Sequence, residues 1–283
     1  MILDEKNELR PGWKFAIYIA FFVILWFATE MALSIFSAGG NGIVHDKLAI
    51  LALNDVALLV PAVGAMALTI RYVDHRPLST FGIGFVTGWR RHLVFGILLS
   101  AGMLAIMVAG SAAVGTIHIQ WTGGDAPGTT FLATLILLLV AALNEELVFR
   151  GFPLQIMIEA LGEWPGIIAM SALFGAMHLT NPNRSLLGIL NTMIAGVLMS
   201  LAFARTRSLW TPYAIHFGWN IGLGLVLGFT LSGFGFASLW TTTVTGTDAI
   251  LGGKYGPEGG LLATFIFTGS TVIVYGISRR LLR

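Results

Sequence analysis

Long apolar stretches without charge recur along the chain, and they restrict its fold more than any other feature. One of them, "GTTFLATLILLLVAA", covers residues 128–142. A helix needs about 20 apolar residues to cross the hydrocarbon core of a bilayer. The sequence therefore predicts an all-α fold, a polytopic membrane helical bundle with about eight transmembrane helices. The predicted spans are residues 14–37, 48–71, 92–116, 129–149, 164–181, 185–204, 211–231 and 260–278.

The composition supports a membrane protein and excludes several other classes. Charged residues make up 11% of the chain and hydrophobic residues 56%, whereas about 25% of a soluble domain is charged. A net charge of +2 excludes a nucleic-acid-binding surface. The absence of cysteine excludes disulfides and thiolate metal sites. We expect the lipid bilayer, and no nucleic acid, as a partner.

The 16 Lys and Arg residues are distributed unevenly between the two sides of the predicted topology. Thirteen lie on the side of both termini, and Lys47, Arg184 and Lys254 lie on the other side. Cytoplasmic loops carry an excess of Lys and Arg. We therefore predict a multi-pass protein of the cell membrane with both termini in the cytoplasm, and we interpret residues 1–13 as a retained cytoplasmic tail.

Ionisable residues inside spans are costly and are functional candidates by default. Two of them, Glu30 and Asp55, lie toward the outer ends of spans 1 and 2, and we interpret them as interfacial residues. The connector of residues 71–92 has the mixed composition of an interfacial segment. The outer loop of residues 232–259 gives no chemical signal.

The motif "NEELVFRGF" places three charged side chains at the end of span 4. Residues four positions apart lie on one face of a helix, so Glu146 and Arg150 can pair. Glu145 points about 100° away from Glu146 and has no helical partner. We therefore predict that Glu146 and Arg150 support the site structurally and that Glu145 takes part in the chemistry.

Two further motifs, "FGAMH" and "HFGWN", lie in spans 5 and 7. Their spacing places Phe174 beneath His178 and His216 on the same helix face as Asn220. A carboxylate in such a site can act as general base toward water, and donors can stabilise an oxyanion. We therefore expect Glu145 and His178 to hold one water, with the side chains of His216 and Asn220 as oxyanion donors. These groups suffice for amide hydrolysis without a covalent intermediate.

The ordered set EExxxR, FxxxH and HxxxN resembles the CPBP family of CAAX proteases and bacteriocin-processing enzymes, which includes the type II CAAX prenyl protease. The resemblance covers about residues 129–231 and implies an intramembrane endopeptidase of the glutamate type, acting on a peptide or a membrane protein. It implies the same residue roles as above. The sequence divides into a tail with three spans, a catalytic core, and an outer loop with the last span, at residues 1–128, 129–231 and 232–283.

No cofactor is expected, and a zinc ion is the alternative. The family was long described as metalloproteases, but the sequence has no HExxH motif, and an Asn amide is a poor zinc ligand. Two other functions remain open: a non-catalytic scaffold or bacteriocin-immunity protein, and a proton-coupled transporter. The polar residues cluster in one half of the chain, which disfavours a transporter.

The predicted spans contain one conflict. They place Glu145 near the cytoplasmic end of span 4 and His178 near the outer end of span 5, too far apart to act together. At 1.5 Å per residue, the conflict disappears if helix 4 continues to about Leu161. We therefore expect an overlong hairpin between spans 4 and 5, and a cavity within the membrane that opens toward the cytoplasm.

Overall fold

The computed structural model describes residues 2–3, 5, 8–39, 47–123 and 128–277. Helices dominate this part of the chain, so the predicted all-α membrane bundle is confirmed. The helices are α1 (Pro11–Gly39), α2 (Lys47–Thr69), α3 (Trp89–Val114), α4 (Gly128–Arg150), α5 (Phe152–Leu161), α6 (Glu163–Met177), α7 (Leu186–Thr206), α8 (Trp210–Asn220), α9 (Asp248–Leu251) and α10 (Leu261–Gly276).

Each of the eight predicted spans coincides with a helix, but the lengths differ. Among the described residues, five stretches are long and apolar enough to cross a membrane, by length and composition: Pro11–Ile35, Leu48–Asp74, Trp89–Val114, Gly128–Leu161 and Leu186–Thr206. Helix α6 has 15 residues, α8 has 11 and α10 has 16. Helix α8 continues into a π-helical turn, Ile221–Val226. Three of the predicted spans are therefore shorter than the sequence suggested.

The expected continuation of helix 4 to Leu161 is present, but it is interrupted. Helix α4 ends at Arg150, and Gly151 has φ −66° and ψ −125°, which is not a helical conformation. Pro153 follows in the first turn of α5, where its missing N–H costs no helical hydrogen bond. The single long helix of the prediction is thus two successive helices with a break directly after the charged motif.

Helices α3 and α8 approach closely through small residues. A Cβ atom on Gly96 would lie 2.5 Å from Cβ of Ala214, and one on Gly218 would collide with Ser100. Small residues four positions apart let the backbones of membrane helices come together. His216 is two residues away from both Ala214 and Gly218, so it lies on the opposite side of α8, away from α3.

The connector between α2 and α3 is anchored by charge. Asp74 has a fully buried side chain and pairs with Lys14 of α1 at 3.0 Å and with Arg76 at 2.5 Å. Arg76 also pairs with Glu159 of α5 at 2.7 Å. Hydrogen bonding to Asp74 raises the pKa of Arg76. The segment interpreted as interfacial is therefore fixed to two helices, and it includes a fully buried aromatic residue, Phe81.

Two short strands, β1 (Thr116–Trp121) and β2 (Trp240–Thr245), form an antiparallel ribbon that the sequence reading missed. Their register runs from Thr116 opposite Thr245 to Trp121 opposite Trp240. Both segments are rich in β-branched and aromatic residues, which favour strands. The ribbon connects the end of α3 to the loop that follows α8.

Candidate active site

A cavity of about 360 Å³ lies between helices α2, α3, α4, α6, α7, α8 and α10. Most of its wall is apolar, as expected for a ligand site. Five of the seven residues singled out from the sequence line it, and they come from α4, from α6 with the 3₁₀ turn that follows it, and from α8. They are Glu145, Phe174, His178, His216 and Asn220. The depth conflict inferred from the predicted spans is therefore absent.

Glu146 and Arg150 lie behind the cavity wall and have no exposed surface. Arg150 Nη1 donates to Glu146 Oε1 at 3.0 Å, so the pair expected from the helical spacing is present. Arg150 Nη2 donates to the carbonyl of Gly196 at 3.4 Å. The guanidinium carbon lies 4.3 Å from the centre of the Phe174 ring. This buried cation thus ties α4 to α6 and α7.

His216 connects the two glutamates. Its Nδ1 is 2.8 Å from Glu146 Oε1, and its Nε2 is 3.8 Å from Glu145 Oε2. Glu146 Oε1 also accepts a hydrogen bond from Arg150, so this oxygen is an acceptor. The hydrogen of the bond between Glu146 and His216 is therefore on Nδ1 of His216. Glu146 therefore orients the imidazole, a role that sequence reasoning missed, since no helical interval relates residues on α4 and α8.

The ring of His178 is oriented by the backbone. Its Nδ1 is 2.8 Å from the carbonyl oxygen of Phe174. A carbonyl only accepts, so Nδ1 is the donor, and the neutral ring has Nε2 as an acceptor. The ring also contacts the Phe174 ring, with centroids 4.8 Å apart. Phe174 therefore contacts both His178 and the buried Arg150.

Glu145 and Asn220 have unused hydrogen-bonding capacity in the same cavity. Glu145 Oε2 is buried and accepts no hydrogen bond. Within the described residues, the Asn220 side chain has no hydrogen-bond partner. A buried carboxylate oxygen is normally paired, and the half-buried Asn220 side chain lines the same cavity. These two side chains are therefore available to a molecule in the cavity.

Asp55 was interpreted from the sequence as an interfacial residue, but it lines the cavity. Asn144 Nδ2 donates to the backbone carbonyl of Asp55 at 3.1 Å, which fixes α2 against α4 next to Glu145. The buried Asp55 Oδ2 has no hydrogen-bond partner. The sequence feature that could have identified Asp55 as a site residue is its position as an acidic residue inside a span, since such residues are functional candidates by default. Glu30, the other such residue, does not line the cavity.

Glu258 shows that the outer loop, which gave no chemical signal, does contribute to the site. It is buried and lines the cavity. Its carboxylate accepts from Trp219 Nε1 at 2.9 Å, and from the backbone N and Oγ of Ser232 at 2.7 and 2.6 Å. Asn191 Nδ2 donates to the carbonyls of Glu258 and Gly260, both at 2.8 Å. These bonds hold the loop to α7 and α8 at the cavity wall.

The charged and titratable side chains on the cavity wall are acidic or imidazole groups. Within the part of the chain that the structure describes, no Lys or Arg lines the cavity. Nor do three or more His, Asp or Glu residues of those ranges converge as metal ligands, whereas a catalytic zinc ion takes three protein ligands. The donor geometry thus does not fit the zinc ion that the sequence left as an alternative, and the absence of a cofactor stays a prediction.

Comparison with known proteins bears on the family resemblance that the three motifs indicated. Residues 127–222 match the family model described as type II CAAX prenyl endopeptidase Rce1-like. The matched range contains all three motifs and ends two residues beyond Asn220. No curated protein matches the chain. The resemblance inferred from the motifs is confirmed over this range.

Proposed function

We propose that this protein hydrolyses a peptide bond within the membrane, and the match of residues 127–222 to the family model of Rce1-like type II CAAX prenyl endopeptidases supports this. In this proposal Glu145 and His178 activate a water molecule. The observation that carries the proposal is that Glu145, His178, His216 and Asn220, from three motifs, line one cavity. The family match supports a CAAX-protease-type intramembrane endopeptidase in general, and the residue roles are our own inference.

The water has two acceptors in this arrangement. Glu145 has an unpartnered oxygen, and His178 has Nε2 as the acceptor of its neutral ring, since Nδ1 is bound to Phe174 O. A water that donates one hydrogen to each keeps a lone pair on its oxygen for attack on a carbonyl carbon. Glu145 then takes the proton as general base.

The oxyanion that forms during attack meets two donors, Asn220 and His216. The Asn220 amide has no other hydrogen bond within the described residues. His216 donates through Nε2 when the ring is protonated. An imidazolium is charge-balanced here, because Arg150 neutralises Glu146 and Glu145 lies 3.8 Å from Nε2. Donors aimed at a developing oxyanion account for about 10²–10³-fold in rate in well-studied hydrolases.

The substrate in this proposal is a peptide or a membrane protein reached from the lipid bilayer. The helices long enough to span a membrane and the family match support a multi-pass membrane protease. The apolar wall of the cavity suits the side chains of a membrane segment.

The proposal is tested with purified protein in detergent and a quenched-fluorescent peptide library. We expect the wild type to cleave at least one peptide, and His178→Ala to lower kcat for that peptide by about 100-fold. Leu179→Ala, which removes an exposed neighbouring side chain, is the matched control and keeps wild-type activity. Binding without cleavage by the wild type would instead favour a non-catalytic scaffold.

A further inference from the structure

Five titratable side chains line the cavity within the described residues: Asp55, Glu145, His178, His216 and Glu258. The mechanism above uses Glu145 and the two histidines. Peptide hydrolysis also requires a proton for the nitrogen of the leaving amine, because an amide anion is a very poor leaving group. General acid catalysis supplies this proton from a positioned side chain.

Glu258 is unsuited to donate a proton. Both of its oxygens accept hydrogen bonds, one from Trp219 and the other from two groups of Ser232. All three groups donate to the carboxylate, so both of its oxygens are already engaged as acceptors. A proton on Glu258 would displace one of these bonds. The side chain acts as a fixed acceptor that fastens the outer loop.

The two histidines already have other roles, so neither is the proton donor to the leaving amine. His178 donates through Nδ1 to the carbonyl of Phe174, so the Nε2 of its neutral ring is an acceptor. His216 donates through Nδ1 to Glu146, and its Nε2 is the oxyanion donor of the proposed mechanism. Neither ring has a second proton to give without losing its assigned role.

Asp55 is the remaining group. Its buried Oδ2 has no hydrogen-bond partner, and its side chain lines the same cavity as Glu145 of the neighbouring helix α4. Its backbone carbonyl is held by Asn144, the residue before Glu145. Two carboxyl groups in one apolar cavity resist being ionised together, so the proton in this inference is on Asp55 while Glu145 is ionised.

We propose that Asp55 is a further catalytic residue, whose carboxyl group protonates the leaving amine. This rests on the proposed function. The water oxygen forms a bond to the carbonyl carbon while one water proton passes to Glu145. The C–N bond then breaks as Asp55 gives its proton to the nitrogen, and the second water proton stays with the new carboxyl group. Transfer of the proton from Glu145 to Asp55 restores both residues.

The test compares two leaving groups. A peptide that the wild type cleaves is mapped by mass spectrometry, and its acyl part is also prepared as a p-nitrophenyl ester. The ester's phenolate leaves without a proton. We expect Asp55→Asn to lower kcat for the peptide by about 100-fold and to keep kcat for the ester within about threefold of wild type. Glu145→Gln lowers kcat for both substrates, since water activation is common to them.

Glu30→Gln, which neutralises the other span carboxylate outside the cavity, is the matched control and leaves both rates unchanged. Melting curves in detergent accompany each variant. The backbone hydrogen bond of Asp55 to Asn144 does not involve the carboxyl group, so Asp55→Asn keeps the wild-type melting temperature. Equal losses on peptide and ester, or full peptide activity in Asp55→Asn, would overturn the acid role while the proposed function stands. A wild type that cleaves neither substrate would overturn both.

Discussion

Glu146 carries two partners on one oxygen atom: Arg150 at 3.0 Å and His216 at 2.8 Å. Its second oxygen is buried without a hydrogen bond. The carboxylate thus balances a cation with no exposed surface and sets the hydrogen position on a cavity-lining imidazole. Substitutions of Glu146 or Arg150 are therefore expected to lower the stability of the fold, and to lower activity through the loss of the folded site.

Arg150→Ala leaves Glu146 buried without its counter-charge. Breaking a buried ion pair on one side costs about 3–5 kcal/mol, so we expect a large fall in melting temperature in detergent. The double variant Glu146→Gln with Arg150→Met leaves no buried unpaired charge and regains part of this loss. Arg184→Ala, at an exposed position directly after a turn, is the control and melts like wild type. A normal melting temperature for Arg150→Ala would contradict the structural role.

Side-chain contacts within one helix could be predicted from the sequence, and side-chain contacts between helices could not. The Glu146–Arg150 pair follows from a four-residue interval on α4. The bond from His216 to Glu146 depends on how α8 packs against α4, which no local pattern encodes. The same is true of Asp55 and Glu258, whose positions on the cavity wall are set by distant contacts with Asn144 and with Trp219.

At the scale of the elements, hydropathy located every helix that spans or lines the bundle, because about 20 apolar residues define a span. Hydropathy predicted the helix ends less well, because the sequence stays apolar where the backbone changes from an α-helix to another conformation. Helix α6 becomes a 3₁₀ turn at His178, and α8 becomes a π-helical turn at Ile221. The β-ribbon was missed because its two strands are far apart in sequence and each is only 6 residues long.

For the whole molecule, the placement of both termini in the cytoplasm stays a prediction that rests on the uneven distribution of Lys and Arg. The native chain has no cysteine, so single cysteines report on topology directly. We expect Thr243→Cys, in the predicted outer loop, to react with a membrane-impermeant maleimide in intact cells. Ser79→Cys, in the connector after α2, reacts only after permeabilisation. The reverse pattern would invert the topology.

The central claim is that two adjacent glutamates do different work, and parallel kinetics and melting of Glu145→Gln and Glu146→Gln test it most directly. Glu145→Gln keeps size and shape, so it is expected to melt close to wild type while kcat falls by at least about 100-fold. Glu146→Gln removes the counter-charge of buried Arg150, so its melting temperature falls together with its activity. If Glu145→Gln cleaves the peptide at the wild-type rate, or if it is the variant that unfolds while Glu146→Gln melts normally, the account is contradicted.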